Sequence, residues 1–184
     1  FHGAYGTVEL ELQGVLLDLA TARAETYPRP AENPVVTSGR LEDDLARRDF
    51  SINAMALLLQ PDGQVLLLDP HGGQADLAAR CLRLLHAHSL SDDPTRLVRG
   101  ARYGARLGLT LDPASLAQAR STLAAWPWPW RPGDPPDQAP PALGTRLRME
   151  LELLLEREPW MQALAALQGW GGLRLLDDHL QADR

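Results

Sequence analysis

Val8, Leu10 and Leu12 alternate with polar neighbours, a period of two that predicts a strand, and Val15 to Ala20 forms a short apolar run broken by Asp18. Gln13-Gly14 joins these two predicted strands. "YPRPAENPVVTSG" is rich in Pro, Asn and Gly and reads as a loop. In "RLEDDLARRDF", Leu41 and Leu45 stand at helical spacing, with acids early and arginines late, as the helix dipole favours. "MALLLQPDGQVLLLD" places two apolar runs around Pro-Asp-Gly, a hairpin signal. The stretch "LARRDFSINAMA" therefore reads as a helix running into a strand, with many polar groups for a short buried element.

From Asp76 the pattern turns helical. "ADLAARCLRLL" reads as one amphipathic segment, and "DDPTRLVRGARYGARLG" as another, capped by Asp93, with Pro94 first in the helix and Gly108 ending it. "DPASLAQARSTLAAW" repeats the opening at Asp112-Pro113. "WPWPWRPGDPPDQAPPA" holds seven of the 15 prolines and reads as an extended or disordered connector. "TRLRMELELLLE" and "PWMQALAALQ" predict two closing helices, ending near Gly169.

A chain of 184 residues can hold one large domain or two small ones. No run approaches the ~20 apolar residues of a membrane span. Phe1 opens the chain without a methionine or a signal-like run, so an N-terminal part is expected before it. The lone Cys81 excludes an internal disulfide and fits a reducing, cytoplasmic setting. The net charge of −6 argues against a broadly basic nucleic-acid surface but leaves room for local phosphate sites. All 18 basic residues are arginine, with Arg47 and Arg48 adjacent and Arg96, Arg99, Arg102 and Arg106 close together.

Asp93 and Arg96 are three apart and share one helical face. A carboxylate accepts hydrogen bonds and a guanidinium donates several, so the pair can read a base that offers an exocyclic amine beside an acceptor. Cytosine and adenine do; uracil and guanine do not. The plainer alternative makes Asp93 an N-cap and Arg96 a solvated side chain. Arg99, Arg102 and Arg106 form a like-charged stripe that either phosphates or carboxylates must answer. Asp18, within an apolar strand, is a candidate metal ligand or a strand-edge aspartate facing water.

"LARRDFSINAMA" resembles the RRDFxINA motif of the class II tRNA nucleotidyltransferase and bacterial poly(A) polymerase family. "LLDPHGGQADL", "DDPTRLVRGARYGARLG" and "GTVELELQGVLLDLATARAETY" are similar to its hinge motif, its [ED]DPxRxLRxxRFxxRLG motif and its upstream strand pair. "TRLRMELELLL" resembles the RIxxELxxLL that opens the family's tRNA-contacting helices. Order and spacing agree from residue 1 to about 112 and again from about 145 onward.

The resemblance implies an α+β chain. Residues 1–75 would be part of a polymerase-β-like head with a partial antiparallel or mixed sheet. An all-helical neck (76–125) and body would follow, the Pro-rich connector (126–142) preceding the start of an RNA-binding body (143–184). It implies transfer of a nucleotide from CTP or ATP to the 3′ end of a tRNA with Mg2+, adding CCA, CC or A. Asp49 and Asn53 would hold the ribose, Arg48 would lie near the phosphates, and Asp93 and Arg96 would select the base. Arg99, Arg102 and Arg106 are further candidate nucleotide ligands, and Asp18 a candidate metal ligand. The family's Asp-x-Asp motif is expected before Phe1. Untemplated poly(A) synthesis, or nucleotide and RNA binding without catalysis, are the alternatives.

Overall fold

Gln13 and Gly14 both adopt positive φ (52° and 79°), the backbone of a tight hairpin turn. Thr7–Leu12 (β1) accordingly pairs antiparallel with Val15–Ala20 (β2). The register sets Val8 opposite Leu19, Leu10 opposite Leu17 and Leu12 opposite Val15, so one face of the hairpin is wholly apolar. From Leu10 to Leu19 the side chains of that face are 42–61% exposed, so nothing covers them among the described residues. The structure is a computed structural model and describes residues 6–182.

Arg23–Thr26 (β3) pairs antiparallel with Val35–Ser38 (β4), which corrects the reading of 27–39 as loop throughout. The actual loop, 27–34, is tied down at Ala31, whose N–H donates to the carbonyls of Ser91 and Asp92 and whose carbonyl accepts from Ala142 N. Leu41–Ala46 (α1) follows, then a 3-10 turn at Ser51–Asn53, then the hairpin of Ala56–Leu59 (β5) and Val65–Leu68 (β6). Its leucines are also largely exposed. Among the described residues the antiparallel strands thus form three separate hairpins instead of one continuous sheet.

Residues 75–85 are not a single helix. Gly73–Ala78 (α2), capped by Asp69 through Gly73 N and Gln74 N, stops at Arg80, whose φ is 53°. Cys81–Leu82 (β7) then runs parallel to Thr110–Leu111 (β8). That pairing to residues about thirty positions away outweighs the local helical pattern. Ser89–Asp92 (α3) leads into Thr95–Leu107 (α4), which ends at left-handed Gly108. Pro113–Ala125 (α5) begins at Asp112, whose side chain accepts from Ala114 N and Ser115 N.

The connector is ordered by its tryptophans. Trp126 and Trp128 are buried edge to face, with centroids 5.0 Å apart, and the Trp128 indole N–H donates to the Ser91 carbonyl at 2.9 Å. Thr145–Arg157 (α6) and Trp160–Trp170 (α7) pack on α4, followed by a 3-10 turn at Gly172–Leu175 and the short Asp178–Ala182 (α8). The main core joins Leu97, Val98 and Ala101 of α4 to Leu147, Leu154 and Leu167 of the closing helices. A smaller cluster around Phe50 and Leu82 fixes the strand region to α4. Gly100 makes this approach possible: a Cβ there would meet Phe50 Cζ at 2.9 Å.

Candidate functional site

Because Phe50 is wholly buried under α4, the residues beside it are held against the same helix. Asp49 Oδ1 accepts from Phe50 N (2.8 Å) and Asn53 Nδ2 (2.9 Å), and its Oδ2 accepts from Arg99 Nε (2.8 Å). Burial raises the carboxyl's pKa, but the Arg99 charge and these hydrogen bonds outweigh it and hold Asp49 below the ordinary aspartate value. Arg99 also donates to Glu150 Oε1 and to the Tyr103 hydroxyl. Its own pKa is raised, the carboxylates overcoming its burial.

One turn earlier, Asp44 gathers both arginines of the 45–56 stretch. Arg47 reaches its Oδ1 at 2.7 Å and Arg48 its Oδ2 at 2.9 Å. Burial again works against ionisation, and the two guanidiniums reverse it, lowering the Asp44 pKa. Arg47 bridges further to Glu25 on β3 (2.8 Å), while Arg48 keeps 42% of its side chain exposed and has donors to spare.

Asp93 divides its carboxylate. Oδ1 accepts from Thr95 N (3.1 Å) and Thr95 Oγ1 (2.6 Å), and Oδ2 accepts from Arg146 Nη1 (2.9 Å). A carboxylate has about four lone-pair positions, so one on Oδ2 is left after these bonds. Arg96 donates to Ser89 Oγ (2.6 Å) and the Arg47 carbonyl (3.2 Å). Three of a guanidinium's five N–H groups are therefore not taken up by these bonds. Tyr27 lies alongside, its ring centroid 6.0 Å from the Arg96 guanidinium carbon.

These groups line one cavity of about 690 Å³, bounded by α4, the 45–56 stretch, β3 and α6. Of the nucleotide candidates, Arg48, Asp49, Asn53, Asp93, Arg96 and Arg99 all line it. Arg102 and Arg106 do not. Arg102 is buried against Glu150 and Glu158, and Arg106 pairs with Glu158 at 3.2 Å, so carboxylates answer that part of the stripe. Six arginines and four carboxylates form the wall, an excess of positive charge in a chain of net charge −6.

Asp18 is exposed on β2 opposite Glu9, away from the cavity lining. Among the described residues no three His, Cys, Asp or Glu side chains gather as a metal site. The described residues therefore do not by themselves assemble a cage for metal ions.

Sequence reasoning missed Tyr27, Glu25, Arg146 and Glu150 as parts of this wall. The last two are the Arg and Glu of "TRLRMEL", four apart on one face of α6, and that spacing was the available signal.

Residues 2–83 match the family model described as the poly(A) polymerase head domain. The CC-adding tRNA nucleotidyltransferase of Deinococcus radiodurans is 45% identical over 96% of this chain and 43% of its own length. The A-adding tRNA nucleotidyltransferase of Halalkalibacterium halodurans is 42% identical over 61% of this chain and 26% of its own. A solved CCA-adding enzyme in an apo form superposes with a TM-score of 0.79 at 30% identity, covering 95% of this chain and 39% of that one. The chain spans less than half the length of these relatives. Its fold and its ordered motifs agree with theirs, and its residues 2–83 belong to the poly(A) polymerase head-domain family.

Proposed function

We propose that this chain supplies the nucleotide-selecting part of a tRNA nucleotidyltransferase that adds C or A to tRNA 3′ ends. One observation carries the reading: Asp93 and Arg96 line the same cavity as Asp49, Asn53, Arg48 and Arg99. The free Oδ2 position of Asp93 accepts an exocyclic amine, and an unused Arg96 N–H serves the adjacent ring nitrogen. Cytosine and adenine present that amine and acceptor; uracil and guanine present a carbonyl and a ring N–H there and meet the wrong partners. Asp49 and Asn53 hold the ribose, and Arg48 and Arg99 face the phosphates, where guanidinium binds in bidentate fashion.

Nucleotidyl transfer in this family uses a divalent metal, here Mg2+ on our reading. What this chain's own residues do is orient the base, fix the sugar and offset phosphate charge. A cytoplasmic setting accords with such a role.

The test is incorporation of each NTP singly into tRNAs ending before CCA, after C and after CC, by the protein expressed from its complete reading frame. Asp93→Ala and Arg96→Ala are expected to weaken the preference for CTP or ATP over UTP and GTP. Asp49→Ala is expected to weaken the preference for ribo- over deoxyribonucleotides. Unchanged base preference in both template variants would overturn the assignment. Growth of long A tails on unrelated RNAs would instead favour poly(A) synthesis.

A further inference from the structure

We infer that Arg146, at the start of α6, is a specificity-determining positioning residue: it fixes the Asp93 carboxylate so that a single acceptor position faces the base. The inference rests on the base-reading role proposed for Asp93. Asp93 and Arg146 are 53 residues apart in sequence, yet Arg146 Nη1 donates to Asp93 Oδ2 at 2.9 Å. The other arm, Nη2, donates to the Glu32 carbonyl at 3.0 Å, in the loop between β3 and β4. One guanidinium thereby joins α6, the Asp93 turn and the loop of the strand region. Among the described residues its Nε is buried without a hydrogen-bond partner, so these two bonds are its grip there.

The consequence for specificity follows from counting acceptors. Thr95 holds Oδ1 through both its N–H and its hydroxyl, and that alone leaves both lone pairs of Oδ2 open. An open Oδ2 can accept from any donor that a base brings, including the ring N–H of uracil or guanine. With Arg146 on one side of Oδ2, only the remaining lone pair is offered. Arg146 also stops the carboxylate from turning about the Thr95 contacts. The α6 motif therefore bears on base choice from outside the segments that carry Asp93 and Arg96.

The experiment compares kcat/KM for the preferred NTP with that for UTP, using the protein expressed from its complete reading frame. The variants are Asp93→Ala, Arg146→Met, Arg146→Gln and Arg146→Lys, with thermal unfolding run in parallel. The expected result is a fall in discrimination of about tenfold for Arg146→Met, the loss of one charge-assisted hydrogen bond. Arg146→Lys, which keeps one charged donor, should recover part of it, with Arg146→Gln between. A merely structural role would lower kcat/KM for both nucleotides together and leave their ratio unchanged. Should Arg146→Met not fold, the order of the Lys and Gln ratios decides. If Asp93→Ala abolishes discrimination while every folded Arg146 variant keeps the wild-type ratio, the inference falls and the base-reading role stands. If Asp93→Ala itself keeps the wild-type ratio, the role beneath the inference has failed, and the inference with it.

Discussion

Arg99 Nε meets Asp49 Oδ2 at 2.8 Å across fifty residues of chain, joining the 45–56 stretch to α4. Both residues line the cavity. Asp49 is buried, so removing it strips a charged partner from Arg99 and leaves Phe50 N and Asn53 Nδ2 without their acceptor. Asp49→Ala is expected to lower stability by about 2–3 kcal/mol, read as a shift in the urea midpoint. A change under 0.5 kcal/mol would show that water replaces the carboxylate at little cost.

The same carboxylate gives an acid dependence. Its folded-state pKa lies below the ordinary aspartate value, because Arg99 and the hydrogen bonds overcome burial. Its ionised form therefore adds stability that is fully present above about pH 4 and is lost as pH falls through the lower folded value. Urea midpoints for wild type and Asp49→Asn, taken from pH 7 to pH 3, should converge at the acid end. Parallel curves would mean that Asp49 titrates alike in the folded and unfolded chain.

Two glycines predict opposite signs. Gly100→Ala would drive a Cβ to 2.9 Å from the Phe50 ring, which is wholly buried and cannot swing aside. A loss of about 1–3 kcal/mol is expected, the usual cost of overpacking. Gly169, within α7, has no atom within 4 Å of its would-be Cβ. Gly169→Ala should therefore stabilise by about 0.5–1 kcal/mol through helix propensity. Thermal unfolding of the two variants checks both.

The apolar faces of the two leucine hairpins make the 184-residue chain adhesive when expressed as it stands. Among the described residues Leu10, Leu12, Val15, Leu17 and Leu19 share one face with no cover, and neither hairpin extends into a larger sheet. Sedimentation should show concentration-dependent association together with binding of a hydrophobic dye. The cross-strand pair Leu10→Thr and Leu17→Thr should reduce both. A monodisperse chain that ignores the dye would contradict this.

Local pattern carried the β1–β2 and β5–β6 hairpins, α1 and α5 well, because turn residues such as Gln13-Gly14 and the cap at Asp112 act within a few positions. It failed where a distant partner decides. Val35–Ser38 is a strand only because β3 lies beside it, and Cys81–Leu82 leaves a helical pattern to meet Thr110–Leu111. The site divides the same way. Asp93 and Arg96 could be paired from their spacing; Asp93 Oδ1 bonds Thr95 in the first turn of α4 and Oδ2 meets Arg146 at the cavity wall, while Arg96 is buried instead of solvated. That Arg102 turns to Glu150 and Glu158 while Arg99 reaches Asp49 depends on how α6 lies on α4, which no window of sequence contains.

Trp126, Trp128 and Trp130 stand together in the proline-rich segment, and the Trp128 indole is bonded to the Ser91 carbonyl, two residues before Asp93. Indole emission responds to water and to the loss of such a bond, so the chain carries its own fluorophore tied to the turn that bears Asp93. A ligand that shifts the Asp93 turn should change the emission wavelength, and Trp128→Phe should silence that signal. Occupancy of the site can thus be followed by light from the unlabelled protein, titrated with nucleotide alone and without RNA or turnover.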